Sequence, residues 1–245
     1  MSTREEFLSR VQKALGRRPG DPPPTRRPDQ LFGPLEGVMH PIAADQIIDK
    51  FELELEKVSG STCRAANPGE LDGILHKILR DRQAKGVVYS RNPILGAVGL
   101  RAKLAAWGVE AESWPEPGAS DTDSATAKSF RRKAFAAEVG ITGVDFVLAE
   151  SGSLVLTSRT EGAQLASLAP PTHIALYRRS QALATLEEVL ERLAVPVDPG
   201  QAMPGRSVVF ITGPSRTADI EQILIKGVHG PKEVHAILVE DSCLA

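Results

Sequence analysis

Two glycine-bearing segments near the C-terminus, GPSRTADIE (213–221) and GVHGP (227–231), carry the residue types that grip an anion. SVVFIT (207–212) runs directly into the first, which predicts a strand, a tight turn and a helix N-terminus. Gly213 and Pro214 force the turn, Thr217 serves as the helix cap, and Asp219 and Glu221 complement the dipole. In open α/β sheets such helix starts sit at strand carboxyl ends and present free N–H groups to ligands. Ser215 adds a hydroxyl and Arg216 a planar cation suited to carboxylate or phosphate. Ser215, Thr217 and Asp219 also read as capping residues with no ligand. In the second segment Gly227 and Gly230 bracket His229, and Pro231 stiffens the loop. His229 could donate to an anion or act as acid and base near neutral pH, or be structural.

A third group is ESGS (150–153). DFVLAE (145–150) and SLVLTS (153–158) are β-rich runs joined around Ser151, Gly152 and Ser153, which predicts a hairpin. Glu150 ends an apolar strand, where a carboxylate needs a partner or a task, unless it is simply solvated at the turn. Asp145 opens the same strand five residues earlier, so alternation puts it on the opposite face from Glu150. His173, inside an apolar strand, reads as a core histidine. No G-x-S-x-G elbow, G-x-G-x-x-G or Walker loop occurs.

The elements that must position these residues alternate helix and strand. An N-terminal helix begins with a Thr3–Glu6 capping box and carries Phe7, Leu8, Val11 and Leu15 on one stripe, ended by Gly16. Residues 16–41, rich in Pro, Arg and Gly, form an extended linker. Residues 1–41 are therefore an N-terminal helical extension and 42–245 the main domain. There the pattern predicts helices over 44–58, 67–83, 93–107, 123–139 and 186–194. Strands are predicted at 61–66, 86–90, 109–114, 145–150, 153–158, 172–178, 207–212 and 234–240. Asn67-Pro68 marks a helix start, and Thr185 with Glu188 can box another. The fold class is α/β, a mainly parallel sheet with flanking helices and an inserted β-hairpin.

With 245 residues, 42% of them apolar and 24% charged, the chain can bury a substantial core without disulfides or structural metals. A net charge of −2 offers nucleic acid no basic surface. The two cysteines, Cys63 and Cys243, exclude a four-cysteine zinc or iron–sulfur site within the chain and suit a reducing compartment. MSTREEFLSR lacks an apolar signal region, and no run approaches the roughly 18 apolar residues of a membrane helix, so a cytoplasmic, soluble protein is expected. No metal site is expected.

The run AESGSLVL (149–156), then LAPPTHIA (168–175), GPSRTADIE and GVHGP, resembles the lactate utilization protein C family, the LUD domain, in content and order. The likeness covers residues 40–245. The family's usual E-T-G-T stands here as Glu150-Ser151-Gly152-Ser153, which keeps both hydroxyls. The resemblance implies the fold shared by ribose-phosphate isomerases, glucosamine-phosphate deaminases and CoA transferases (NagB/RpiA/CoA transferase-like). It also implies membership of a three-protein system oxidising L-lactate to pyruvate, with iron–sulfur clusters on cysteine-rich partner subunits and no cofactor in this chain. Gly213, Ser215, Arg216, Thr217, Gly227, His229 and Gly230 would hold a small carboxylate or phosphate. Two alternatives stand beside this. One is a stand-alone isomerase- or CoA-transferase-like enzyme with Glu150 as nucleophile or base and His229 as acid or base. The other is a regulatory or assembly module with a vestigial pocket.

Overall fold

The computed structural model describes residues 4–14, 16, 42–114, 125–162, 164–194, 207–218, 224–227 and 229–244. The chain divides into two units, Met1–Pro41 and Ile42–Ala245. In the first, α1 spans Arg4–Ala14, and Val11 on it is exposed. The expected Thr3 cap, Leu15 and the linker beyond Gly16 lie outside the described residues.

The second unit opens with α2, Ile47–Lys57, whose Ile48, Phe51 and Leu55 recur at helical spacing and are buried. It leads into β1, Ser61–Ala65, and then α3, Pro68–Asp81. As the sequence predicts, Asn67 caps α3 by accepting from the Glu70 N–H at 3.0 Å, with Pro68 in the first turn. After β2, Gly86–Tyr89, the helix expected over 93–107 is two pieces, α4 (Pro93–Ala97) and α5 (Leu100–Ala106). Gly99 between them sits at φ 65°, a conformation no continuous helix contains. β3 is Glu110–Ser113 and α6 is Ala125–Ala136.

α6 ends earlier than the expected 139 because Val139–Thr142 leave it to form β4, buried at every position. Four residues buried on both faces show no alternation, so nothing in the pattern separates them from a helix end. On α6, Phe135 is 69% exposed, whereas Phe130 and Ala134 are buried. The hairpin follows as β5 (Phe146–Leu148) and β6 (Ser153–Thr157), then two short helices, α7 (Ser158–Glu161) and α8 (Leu165–Leu168). β7 (Thr172–Tyr177), β8 (Ala182–Leu183), α9 (Leu186–Ala194) and β9 (Val208–Ile211) come next. The chain closes with β10 (Arg216–Ala218), β11 (Leu224–Lys226) and β12 (Glu233–Val239). At the start of α9, the Glu188 N–H donates to Thr185 Oγ1, and Glu188 Oε2 accepts from the Ala184 N–H.

β1-β12-β7-β4-β2-β3 form one sheet in that order, and every neighbouring pair is parallel. A second, mixed sheet runs β8-β5-β6-β9, antiparallel through the hairpin and at β9. α3, α4 and α5 cover one face of the parallel sheet through Leu71, Leu75, Ile94 and Leu104. On the other face, α2 and the inner side of the mixed sheet share a core with Tyr177, Ala236 and Leu238. α9 covers the outer side of the mixed sheet through Val189. No helix among the described residues is long and apolar enough to cross a membrane.

Candidate functional site

Two of the sequence motifs meet at the C-terminal end of α2, and the third is tied to one of them. Gly152, at φ 65°, lays its backbone against Glu54 and Leu55 so closely that a side chain would overlap them. Ser151 Oγ and Ser153 Oγ are 2.7 Å apart, and Ser153 Oγ is 2.6 Å from Thr212 Oγ1, so a hydroxyl chain ties the hairpin turn to the end of β9. The next residue, Gly213, has φ 83° and packs against Val58. Arg216 donates to the Val58 carbonyl and, at 2.7 Å, to Ser59 Oγ. A cation on the last carbonyls of a helix is favoured by the helix dipole. The two C-terminal segments are knitted together: the Ser215 N–H donates to Pro231 O at 2.9 Å, and the Gly227 N–H to Ser215 O at 3.0 Å. His229 is exposed on this loop.

Two expectations fail here. Thr217 does not cap a helix, because Arg216–Ala218 is a strand with Thr217 opposite Ile225 of β11. A β-branched Thr opposite an Ile is in keeping with a two-strand ladder. SVVFIT, moreover, joins the antiparallel part of the mixed sheet, so the rule that places ligands at parallel strand ends does not reach residue 213. Asp219 and Glu221 lie outside the described residues.

Glu150 has a structural partner. Its Oε1 accepts from the Leu186 N–H at 3.0 Å, which satisfies an otherwise orphaned donor at the start of α9. Asp145 is buried and points elsewhere, with Oδ2 accepting from the Thr157 N–H at 2.6 Å and Thr160 Oγ1 at 2.8 Å. His173 is a core residue, as read. Its Nε2 lies 2.8 Å from Thr142 Oγ1, its Nδ1 has no partner among the described residues, and burial holds the imidazole down to about 3, hence neutral.

A different cluster lies where the parallel sheet reverses direction. β2 continues outward to β3, whereas the adjacent β4 is followed in the sheet by β7 on its other side. The loops leaving β2 and β4 therefore part, and a crevice at such a point is the usual ligand position in open parallel sheets. Ser90, Arg91 and Asn92 form the loop after β2, and the Asn92 amide packs directly on the Gly143 backbone after β4. Glu161, wholly buried, clamps this loop. Its Oε1 accepts from Asn92 Nδ2, its backbone carbonyl accepts from the Arg91 N–H at 3.5 Å, and its Oε2 has no hydrogen-bond partner among the described residues. Burial pushes the carboxyl up to about 7, Asp145 repulsion adds to this, and hydrogen bonds from Ser90 and Asn92 oppose it. A cleft of about 670 Å³ opens over the carboxyl ends of β2 and β3, between Ser90–Asn92, Arg101 of α5 and Trp114.

The Ser-Arg-Asn-Pro run after a parallel strand was the available signal for this region. Glu161 had none, since its neighbours in sequence are polar and its burial is made by distant segments. Among the described residues no cluster of His, Cys, Asp and Glu is arranged to hold a metal ion.

A family model for the LUD domain matches residues 48–239. Lactate utilization protein C of Halalkalibacterium halodurans is 31% identical over 238 residues, spanning 97% of this chain and 98% of that protein. Its namesake in Bacillus subtilis is 28% identical, spanning 98% of both. The crystal structure of a DUF162 family protein from Deinococcus radiodurans shares the fold, with a TM-score of 0.55 at 22% identity, over 81% of this chain and 99% of that one. By its sequence match across nearly its whole length, the chain belongs to the LUD domain family.

Proposed function

We propose that the chain acts in lactate utilization as the cluster-free subunit of a three-protein iron–sulfur system that oxidises L-lactate to pyruvate. The near-full-length likeness to proteins named lactate utilization protein C carries this reading. Oxidation removes two electrons and two protons from lactate, and the electrons pass to clusters on cysteine-rich partner subunits. This chain, with Cys63 half-buried and Cys243 buried, contributes a carboxylate-binding surface and a docking face instead. Ser215, Arg216 and His229 offer a hydroxyl, a guanidinium and an imidazole on two loops that the Ser215 and Gly227 N–H groups tie to each other, with Gly227 and Gly230 keeping the approach open. The carboxylate would meet the part of the Arg216 guanidinium not engaged by Val58 and Ser59.

Reconstitution tests this. The purified chain alone is expected to show no cluster absorbance and no lactate-dependent reduction of an artificial acceptor, with turnover only after the cysteine-rich partners are added. Robust lactate oxidation by the pure chain overturns it. The engagement of Glu150 with α9 weighs against the alternative of an isolated isomerase or CoA transferase working through that carboxylate.

A further inference from the structure

We propose that the cleft over the ends of β2 and β3 is a second binding site, for a small organic anion whose oxyanion pairs with Arg91 and Arg101 and whose body lies against Trp114. The observation behind it is the composition of the walls. Among the described residues two arginines and no acidic side chain line the cleft, and neither arginine forms an ion pair. Among the described residues the Arg91 side chain makes one long contact, from Nη2 to the Arg159 carbonyl at 3.4 Å. Some arginines elsewhere do find carboxylates: Arg64 meets Asp49 and Glu52, Arg82 meets Glu233 and Arg179 meets Glu240. Two guanidiniums in one cleft, with no described carboxylate beside them, favour an anion between them.

The rest of the cleft suits a small organic molecule better than a bare ion. Its volume, about 670 Å³, falls within the roughly 300–1,000 Å³ of ligand pockets. Trp114 stands edge-to-face against the buried Phe130, with ring centroids 5.1 Å apart, so one aromatic wall is fixed in place. Leu95 and Leu100 add apolar lining. The opposite wall is held from beneath, because Glu161 anchors the Asn92 amide and the Arg91 backbone. Glu161 is thus a positioning residue, since its carboxyl does not reach the cleft surface. Carboxylates and phosphate monoesters share the oxyanion that the arginines recognise, and the experiment separates them.

Calorimetric titration of the full chain with pyruvate and benzoate, and with glycerol phosphate and phenyl phosphate, tests the site. At least one class is expected to bind. The Arg91→Gln/Arg101→Gln double variant is expected to lose about tenfold or more in affinity, the scale of one or two charge-assisted hydrogen bonds. Arg192→Gln, an exposed arginine of α9 outside the cleft lining, should leave this binding unchanged. No binding by either class, or equal binding by the double variant, overturns the proposal. Binding abolished by Arg216→Gln yet indifferent to the double variant also overturns it, while supporting the loop site of the lactate reading. Failure of lactate oxidation in reconstitution leaves this site standing on its own.

Discussion

Glu161 is the residue whose chemistry departs furthest from its type. Its folded carboxyl titrates at about 7 against an ordinary 4.5, so between those values the folded chain binds a proton that the unfolded chain has released. The stability this carboxyl contributes is therefore fully present below pH 4.5 and lost as pH rises through 7. The shift corresponds to about 3 kcal/mol over that window. His173 acts with the opposite sign. Its folded value of about 3 lies below 6.5, so its contribution is present above pH 6.5 and lost as pH falls. Glu161→Gln isolates the first effect. In denaturant unfolding, the variant is expected to gain on the wild-type chain progressively from pH 4.5 to 7, with no further gain above pH 8. A gap between the two that does not vary with pH would show that Glu161 is not buried as described.

At the scale of elements, close approaches set by glycine hold the motif-bearing turns on α2. Gly152→Ala puts a methyl into the Glu54–Leu55 backbone at a positive φ, where nothing can yield without lifting the hairpin off the helix. The expected cost is about 2–4 kcal/mol, from left-handed strain and overpacking together. Gly73→Ala, within α3 and facing open space, should instead raise stability by about 0.5–1 kcal/mol. Thermal unfolding of both variants checks the pair, and a neutral Gly152→Ala would mean the turn does not seat on α2. The hairpin, the capped start of α3 and the box at α9 were all legible, because each depends on residues within a few positions. β4 and the β10–β11 ladder were not, because short segments are decided by which neighbours accept their hydrogen bonds.

Across the whole molecule, one core joins the two sheets. Phe51 of α2 is fully buried and stands edge-to-face on Tyr177 of β7, with centroids 5.3 Å apart. Leu154, Leu156 and Ile211 of the mixed sheet close over the same cluster. Phe51→Ala is expected to cost about 3–5 kcal/mol, since the cavity lies between elements that cannot collapse independently. Urea unfolding should show a lower midpoint with one cooperative transition. Two separated transitions would mean that the sheets are held together by something other than this core.

The sequence by itself determined the fold class, most elements of the main domain and the family signature in ESGS, GPSR and GVHGP. The fold class and the elements are written in local periodicity, caps and turn chemistry, whereas the family likeness rests on the content and order of the motifs themselves. Tertiary structure alone decided which strand ends face a crevice. SVVFIT looks like a strand leading to a ligand loop, yet β9 pairs antiparallel with β6, and the parallel sheet turns at β2 and β4 instead. Strand order is set by pairing between segments far apart in the chain, which no window of residues records. For the same reason Glu161, an unremarkable residue in SRTEG, became the buried carboxyl beneath the cleft, while Glu150, prominent in its motif, became the partner of a helix start.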